Sequence, residues 1–299
     1  MKKGRLRGFF QLNTLSRGER GETFVGLLVA TMIGALVIAG SASSFTFSMK
    51  TLSDRLIISD TNNHTRKIVH LIASDLRGIG SGMPLMSPRF DPSDPAIGAA
   101  GLPILTDSNR DQIRYRINEY GRFSSLSSTF NTATDSSISV LSTESVRPGS
   151  IIYISNITSE FSQSSTIGGA RARVVNAGPT IISIDEVTSG AGSIFNPGSL
   201  VETVSEVSLS CTNPGGILRT SGVYSETLSK QGSCTFLYLD SSGGEIEPPL
   251  TIESIRSSLT SIRVLVSASG RRPLRSGITY TAQASETVAL RNLILARNS

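Results

Sequence analysis

The chain carries few side chains with which to do chemistry, and their spacing works against most of it. Its two histidines, His64 and His70, stand six residues apart in a stretch of helical periodicity. Six residues turn a helix by a net of roughly 240°, so the two imidazoles cannot share a face, and each reads as a surface residue. Asp107, Asn109 and Asp111 repeat at the odd positions of a calcium loop. Gln112 replaces the turn glycine, however, and the bidentate-glutamate position falls on Asn118, with Glu119 one residue out of register. A polar turn is the expectation there. Phosphate-cradling loops, Gly-x-Ser-x-Gly elbows and His-Glu-x-x-His helices do not occur in the sequence. We therefore expect no enzyme, no cofactor and no metal. Cys211 and Cys234 remain as the only cysteines. A disulfide between them would close a loop of about 24 residues and contribute about 3 kcal/mol on the chain-entropy model. Two free buried thiols, or half of a metal site without nearby histidine ligands, are the alternatives. If paired, they make residues 212–233, with Gly215, Gly216 and Gly222, a stapled surface loop suited to contact.

The elements that must hold these residues begin with an apolar run. No residue between Thr23 and Met49 is charged, and that length of helix extends roughly 40 Å, enough for a bilayer core of about 30 Å. Six basic residues and one acid, Glu19, precede it within residues 1–21, a net of +5. The whole chain is also +5, so residues 22–299 sum to zero. The basic leader is expected to stay in the cytoplasm. Nucleic-acid binding is not expected, although scattered arginines can still make a local patch. A cleavable secretory signal would account for residues 24–40, with small-residue cleavage sites over 39–43. The apolar pattern does not stop there: Leu52, Leu56 and Ile57, then Ile68, Val69, Leu71, Ile72 and Leu76, continue at spacings of three and four. Gly78, Gly80, Gly82 and Pro84 then break it. One helix is predicted over about 23–77, membrane-embedded first and amphipathic later.

Residues 81–299 are rich in Ser, Thr and Gly, lack Trp and are sparsely charged. Strands are predicted at 112–117, 151–155, 172–175, 180–185, 203–210, 234–239, 259–267 and within 278–292. The alternation of Ser261-Ile262-Arg263-Val264-Leu265-Val266 suits a sheet with one solvated face. Residues 121–148 read as an exposed insertion or mobile loop. The expected class is α+β, a long N-terminal helix with a membrane-embedded first half, its second half packed on an antiparallel β-rich domain. The expected divisions are a leader over 1–21, the helix region over 22–80 and the β-rich domain over 81–299.

Residues 21–38 resemble the N-terminal signature of type IV pilins and pseudopilins, Gly followed by Phe-Thr-Leu-Ile-Glu-Leu-Leu-Val-Ala. Gly21 aligns with the cleavage glycine, Thr23 with Thr, Phe24 and Val25 with the apolar pair, and Leu27-Leu28-Val29-Ala30 is identical. The chain is most similar to PilW-like minor pilins. Their first helix commonly ends like Asp75-Leu76-Arg77-Gly78-Ile79-Gly80, and their last strand closes like Leu290-Arg291-Asn292. The resemblance implies cleavage after Gly21 by a prepilin peptidase and methylation of a mature N-terminus at Glu22. It implies residence in the bacterial inner membrane with the β-rich domain periplasmic, then passage through the assembly platform into a pilus or pseudopilus beside other pilin subunits. A C-terminal disulfide loop is common in such proteins. Glu22 stands where an apolar residue is usual, and Gly26 where the family carries an assembly glutamate.

Gly26, Ala30 and Gly34 also form a four-residue stripe of small side chains, the kind that lets helices approach closely in lipid. The resemblance thus implies a structural subunit, a minor pilin of assembly, initiation or tip. A minor pseudopilin of type II secretion and a signal-anchored or exported binding protein are the alternatives.

Overall fold

The computed structural model describes residues 20–85, 87, 90–144, 146–156, 168–189, 193–212, 216–222 and 224–298, the side chains of 20–23, 212 and 298 excepted. Residues 1–19 of the expected 1–21 leader lie outside these residues. The chain divides into two compact units, Met1–Leu56 and Ile57–Ser299. One helix, α1 (Arg20–Arg77), contributes to both and starts three residues before the predicted point.

In the first unit every described side chain of α1 is at least partly open, and Leu28, Ile33, Leu36 and Phe45 are more than half exposed. This segment is long and apolar enough to cross a membrane, with a mean hydropathy of 2.2 in its richest window. In the second unit Thr61, Thr65, Ile68, Val69, Ile72, Ala73 and Leu76 are buried, which is one stripe of a 3.6-residue repeat. Leu52, Leu56 and Leu71, expected in the apolar pattern, are exposed. Leu71 sits about 100° around the helix from Ile72, off that stripe. Thr61 and Thr65 are tolerated inside because each hydroxyl donates to the carbonyl four residues back, at 2.7 and 2.8 Å. Past Arg77 the chain turns through Gly80 and Gly82 at φ +78° and +79°, a conformation that favours glycine.

After a 3₁₀ turn (Gly98–Gly101) come β1 (Gln112–Ile117), β2 (Phe123–Ser125), β3 (Phe130–Asn131), β4 (Ser137–Ser139) and β5 (Ile151–Ser155). Next are β6 (Gly169–Ala177), β7 (Ile181–Ser189), β8 (Ile194–Phe195), the long β9 (Leu200–Thr212), β10 (Gly216–Ser221) and β11 (Tyr224–Ser229). The chain ends with β12 (Gly232–Leu239), β13 (Glu245–Ile246), a π turn (Ser254–Ser258), β14 (Ser261–Ser269), β15 (Thr281–Ala289) and α2 (Arg291–Asn298). The class is α+β, with antiparallel pairing throughout the named sheets.

One sheet runs β11-β10-β9-β5-β6-β7-β4, with β1 and β2 also on β9. The first half of β9 lies between β2 and β5, and its second half between β1 and β10. A smaller sheet runs β13-β12-β14-β15. Val207, Leu209 and Cys211 of β9 share the main core with Phe236 of β12, Val264 of β14, and Ile72 and Leu76 of α1. Val201, at the other end of β9, belongs to a separate core with Ile152, Ala172 and Ile182.

Two expectations are corrected. Residues 121–148 contribute β2, β3 and β4, and bury Leu126, Phe130, Ile138, Val140 and Val146. Their large apolar side chains are isolated among Ser and Thr, so no period is visible, and cover comes from distant partners such as Phe195, whose ring stacks on Phe130 at 6.1 Å. Arg291 and Asn292 do not close a strand; they open α2, where the Asn292 amide donates to the Ile79 carbonyl at 2.8 Å.

Candidate functional site

Gly21 and Glu22 fall in the first turn of α1. Gly26, Ala30 and Gly34 lie along its open segment, and a Cβ added at Gly26 or Gly34 would meet nothing within 4 Å. The stripe is therefore open at both glycines, and small residues at this spacing are what lets helix backbones approach closely in lipid. Flanking it, Leu28, Val29, Met32, Ile33 and Val37 present apolar surface without cover. In water such a surface would aggregate; it suits lipid or other helices.

The second feature is the way Asp75-Leu76-Arg77 fastens the helix end. Leu76 is fully buried in the main core. Asp75 accepts from Arg219 Nε of β10 at 2.6 Å and from the Tyr115 hydroxyl of β1 at 3.1 Å. Arg77, on the other side, pairs with Glu286 of β15, which also lies 3.0 Å from His70 Nδ1. Three successive residues thus tie α1 to the large sheet, the core and the small sheet. Arg219 also bonds Glu119, whose second oxygen accepts from the Ser221 hydroxyl at 2.6 Å. Burial alone would lower the Arg219 pKa, but the bonds to Glu119 and Asp75 outweigh it and raise the value. Burial would raise Glu119, yet the bonds from Ser221 and Arg219 leave it below the usual carboxylate range. Burial, with the Asp75 charge behind it, pushes the Tyr115 phenol well up, so it stays a neutral donor. The cluster is a filled lock, with each polar group committed to a partner.

Cys211 and Cys234 are joined, with a Cα–Cα distance of 5.2 Å and both residues buried. The bond links β9 to β12 and therefore crosses from one sheet to the other through the core. The segment between them was expected to be a stapled surface loop. Instead its described residues form the β10–β11 hairpin, which carries Arg219 and continues the edge of the large sheet. Asp107, Asn109 and Asp111 make a polar turn: Asn109 Oδ1 accepts from the Asp111 and Gln112 amides at 2.9 Å, and Asp107 pairs with Arg114. Among the described residues, no cluster of three or more His, Cys, Asp or Glu could hold a metal.

A cleft of about 530 Å³ opens between the 85–103 segment, the π turn and α2. Phe90, Pro92, Leu102, Ile255 and Leu293 wall it, and its polar side is the Arg256–Asp91 pair at 2.5 Å. Arg297 donates to the Ile255 and Leu259 carbonyls at 2.8 and 2.6 Å, finishing the π turn. The arrangement can make contacts and hold shape.

Sequence reasoning singled out Gly21, the small stripe and the cysteine pair, of which the structure joins the cysteines, and it missed Glu119, Tyr115, Arg219 and Glu286. A signal was present in part: Arg219 is the only charge in β10. Its partners lie 100 and 144 residues away, and no local period joins them. Comparison with protein-family models, with curated proteins and with solved structures gives no match to this chain.

Proposed function

We propose that the chain is a minor pilin-like subunit that acts by contact and carries out no catalysis. In this reading residues 22–56 anchor it in the inner membrane and later bundle with other subunit helices, while the β-rich domain stands outside. It contributes to the assembly, initiation or tip of a type IV pilus. The observation that carries the proposal is the division of labour along α1: a segment open on every side is continuous in sequence with one whose apolar stripe is built into a β-domain core. The signature over residues 21–30 and the vacant strip at Gly26 and Gly34 support it.

Mass spectrometry of the mature N-terminus in cells with a prepilin peptidase tests the reading. A methylated chain beginning at Glu22 is expected. A chain beginning near Ala42 or Ser44 would identify an exported protein with a cleaved signal, and an intact Met1 an uncleaved anchor; either result overturns the proposal.

A further inference from the structure

We propose that the loop between β14 and β15, residues 270–280, is a contact for the headgroups of anionic phospholipids. The inference rests on the reading that the open segment of α1 spans a bilayer. The loop contains Arg271, Arg272 and Arg275 and no acid, and all three arginines are exposed. It concentrates positive charge in a region, residues 22–299, whose total is zero. Arg275 already has a partner within the chain, so Arg271 and Arg272 supply most of the charge for the contact.

The loop is built and held in place. Its base closes through Gly270 N–H to the Tyr280 carbonyl at 2.8 Å and through the Ser269 and Thr281 hydroxyls, 3.1 Å apart. Its tip is a turn in which Leu274 N–H donates to Ile278 O at 2.9 Å and Gly277 N–H to Leu274 O at 2.8 Å. Gly277 takes φ +79°. This turn leaves Ile278 66% exposed among the arginines. The Tyr280 hydroxyl donates to Asn62 Oδ1 of α1 at 3.3 Å. A Cβ on Gly270 would stand 3.0 Å from Thr61 Oγ1 and 3.5 Å from Ile57 Cγ2. The loop is therefore seated on the turns of α1 around residues 57–62.

Ile57 follows Met49 by eight residues, a span of at most about 28 Å even for fully extended chain, and less where it is helical. A lipid surface satisfies both components of the loop. Guanidinium forks match phosphate oxygens, and an exposed aliphatic side chain gains by entering the headgroup–acyl boundary. A polyanion in solution would engage the arginines and leave Ile278 in water. The positive-inside rule does not oppose the assignment, because it is counted over short segments near the span and the loop lies more than 200 residues further along the chain.

The test uses the full chain with Ser276→Cys, labelled with an environment-sensitive fluorophore at the introduced thiol; the native cysteines are already paired. It is reconstituted into nanodiscs of phosphatidylcholine alone or of an about 3:1 mixture with phosphatidylglycerol. A blue shift confined to the anionic discs is expected, falling by about half or more at molar salt, where the Debye length shrinks to about 3 Å. Replacing all three arginines by Ser should abolish the shift and replacing them by Lys should retain most of it, with both variants still co-eluting with discs. Equal emission in the two lipids with normal co-elution overturns the loop assignment and leaves the anchor standing. Failure to enter either disc overturns the anchor and the assignment together. A shift produced by added duplex DNA in phosphatidylcholine discs, but not by phosphatidylglycerol, overturns it in favour of a nucleic-acid contact.

Discussion

The two parts of α1 have similar helical backbones and opposite surroundings. Over residues 24–56 no described side chain is buried, although the segment is the most apolar of the chain. Over residues 57–77, which include Asp60, His64, Arg66, Lys67 and Asp75, a single stripe is buried in the main core. Apolar character therefore does not predict burial within this chain. It predicts burial only where a complementary sheet exists to receive it. The first segment stays uncovered, whereas the second packs against β9, β12 and β14.

The comparison is tested most strongly by Leu76→Ala against Leu36→Ala. Leu76 is fully buried, so its truncation should destabilise the β-rich domain by about 2–5 kcal/mol. Leu36 is 64% exposed, and the same change there should leave denaturation of that domain in detergent unaltered. Comparable losses at the two sites would remove the distinction. Cys211→Ser with Cys234→Ser comes next, at about 3 kcal/mol, because the bond spans a separation of 23 residues and joins the two sheets. Reduction of the native protein should reproduce that loss in chemical denaturation.

Arg219→Ala should cost about 2–3 kcal/mol, since it strands the partly buried carboxylates of Asp75 and Glu119. Arg77→Ala breaks a pair in which the arginine is largely exposed, and should cost less than about 1 kcal/mol. Similar costs would mean that the two ties are equivalent. A smaller effect concerns pH. The folded Glu119 carboxyl lies below its ordinary value of 4.5. Its stabilising contribution is therefore complete above pH 4.5 and is lost as pH falls through the folded value. The stability difference between the native protein and Glu119→Gln should narrow below pH 4.5, and an unchanged difference down to pH 3 would count against the lock. Gly26→Glu should change domain stability least, because nothing lies near that position. Its readout is subunit location and filament number, and no change in either would strip the departure from the family glutamate of meaning.

Much of the frame was legible in sequence because it repeats locally. The end of α1 at Arg77 follows from the glycines after it, and β1 and β5 match their predicted bounds. Strands β6, β7, β9, β12 and β14 were found a few residues short or shifted, since pairing with neighbours extends them past their alternating cores. The short strands β2, β3, β4 and β8 carry too few residues to show a period. The hairpin β10–β11 alternates poorly because β11 is mostly exposed.

The sequence by itself determined the apolar N-terminal segment, the small-residue stripe, the α+β class and the availability of two cysteines, because each is a matter of composition or short-range spacing. Tertiary structure decided that the disulfide joins two sheets, that Asp75 and Arg77 hold opposite sides of one helix end, and that Gly270 and Tyr280, at the base of the β14–β15 loop, sit against residues 57–62 of α1. Those relations connect residues from 23 to more than 200 positions apart. Such distances are closed by the packing of the whole core, and no local pattern in the chain encodes them.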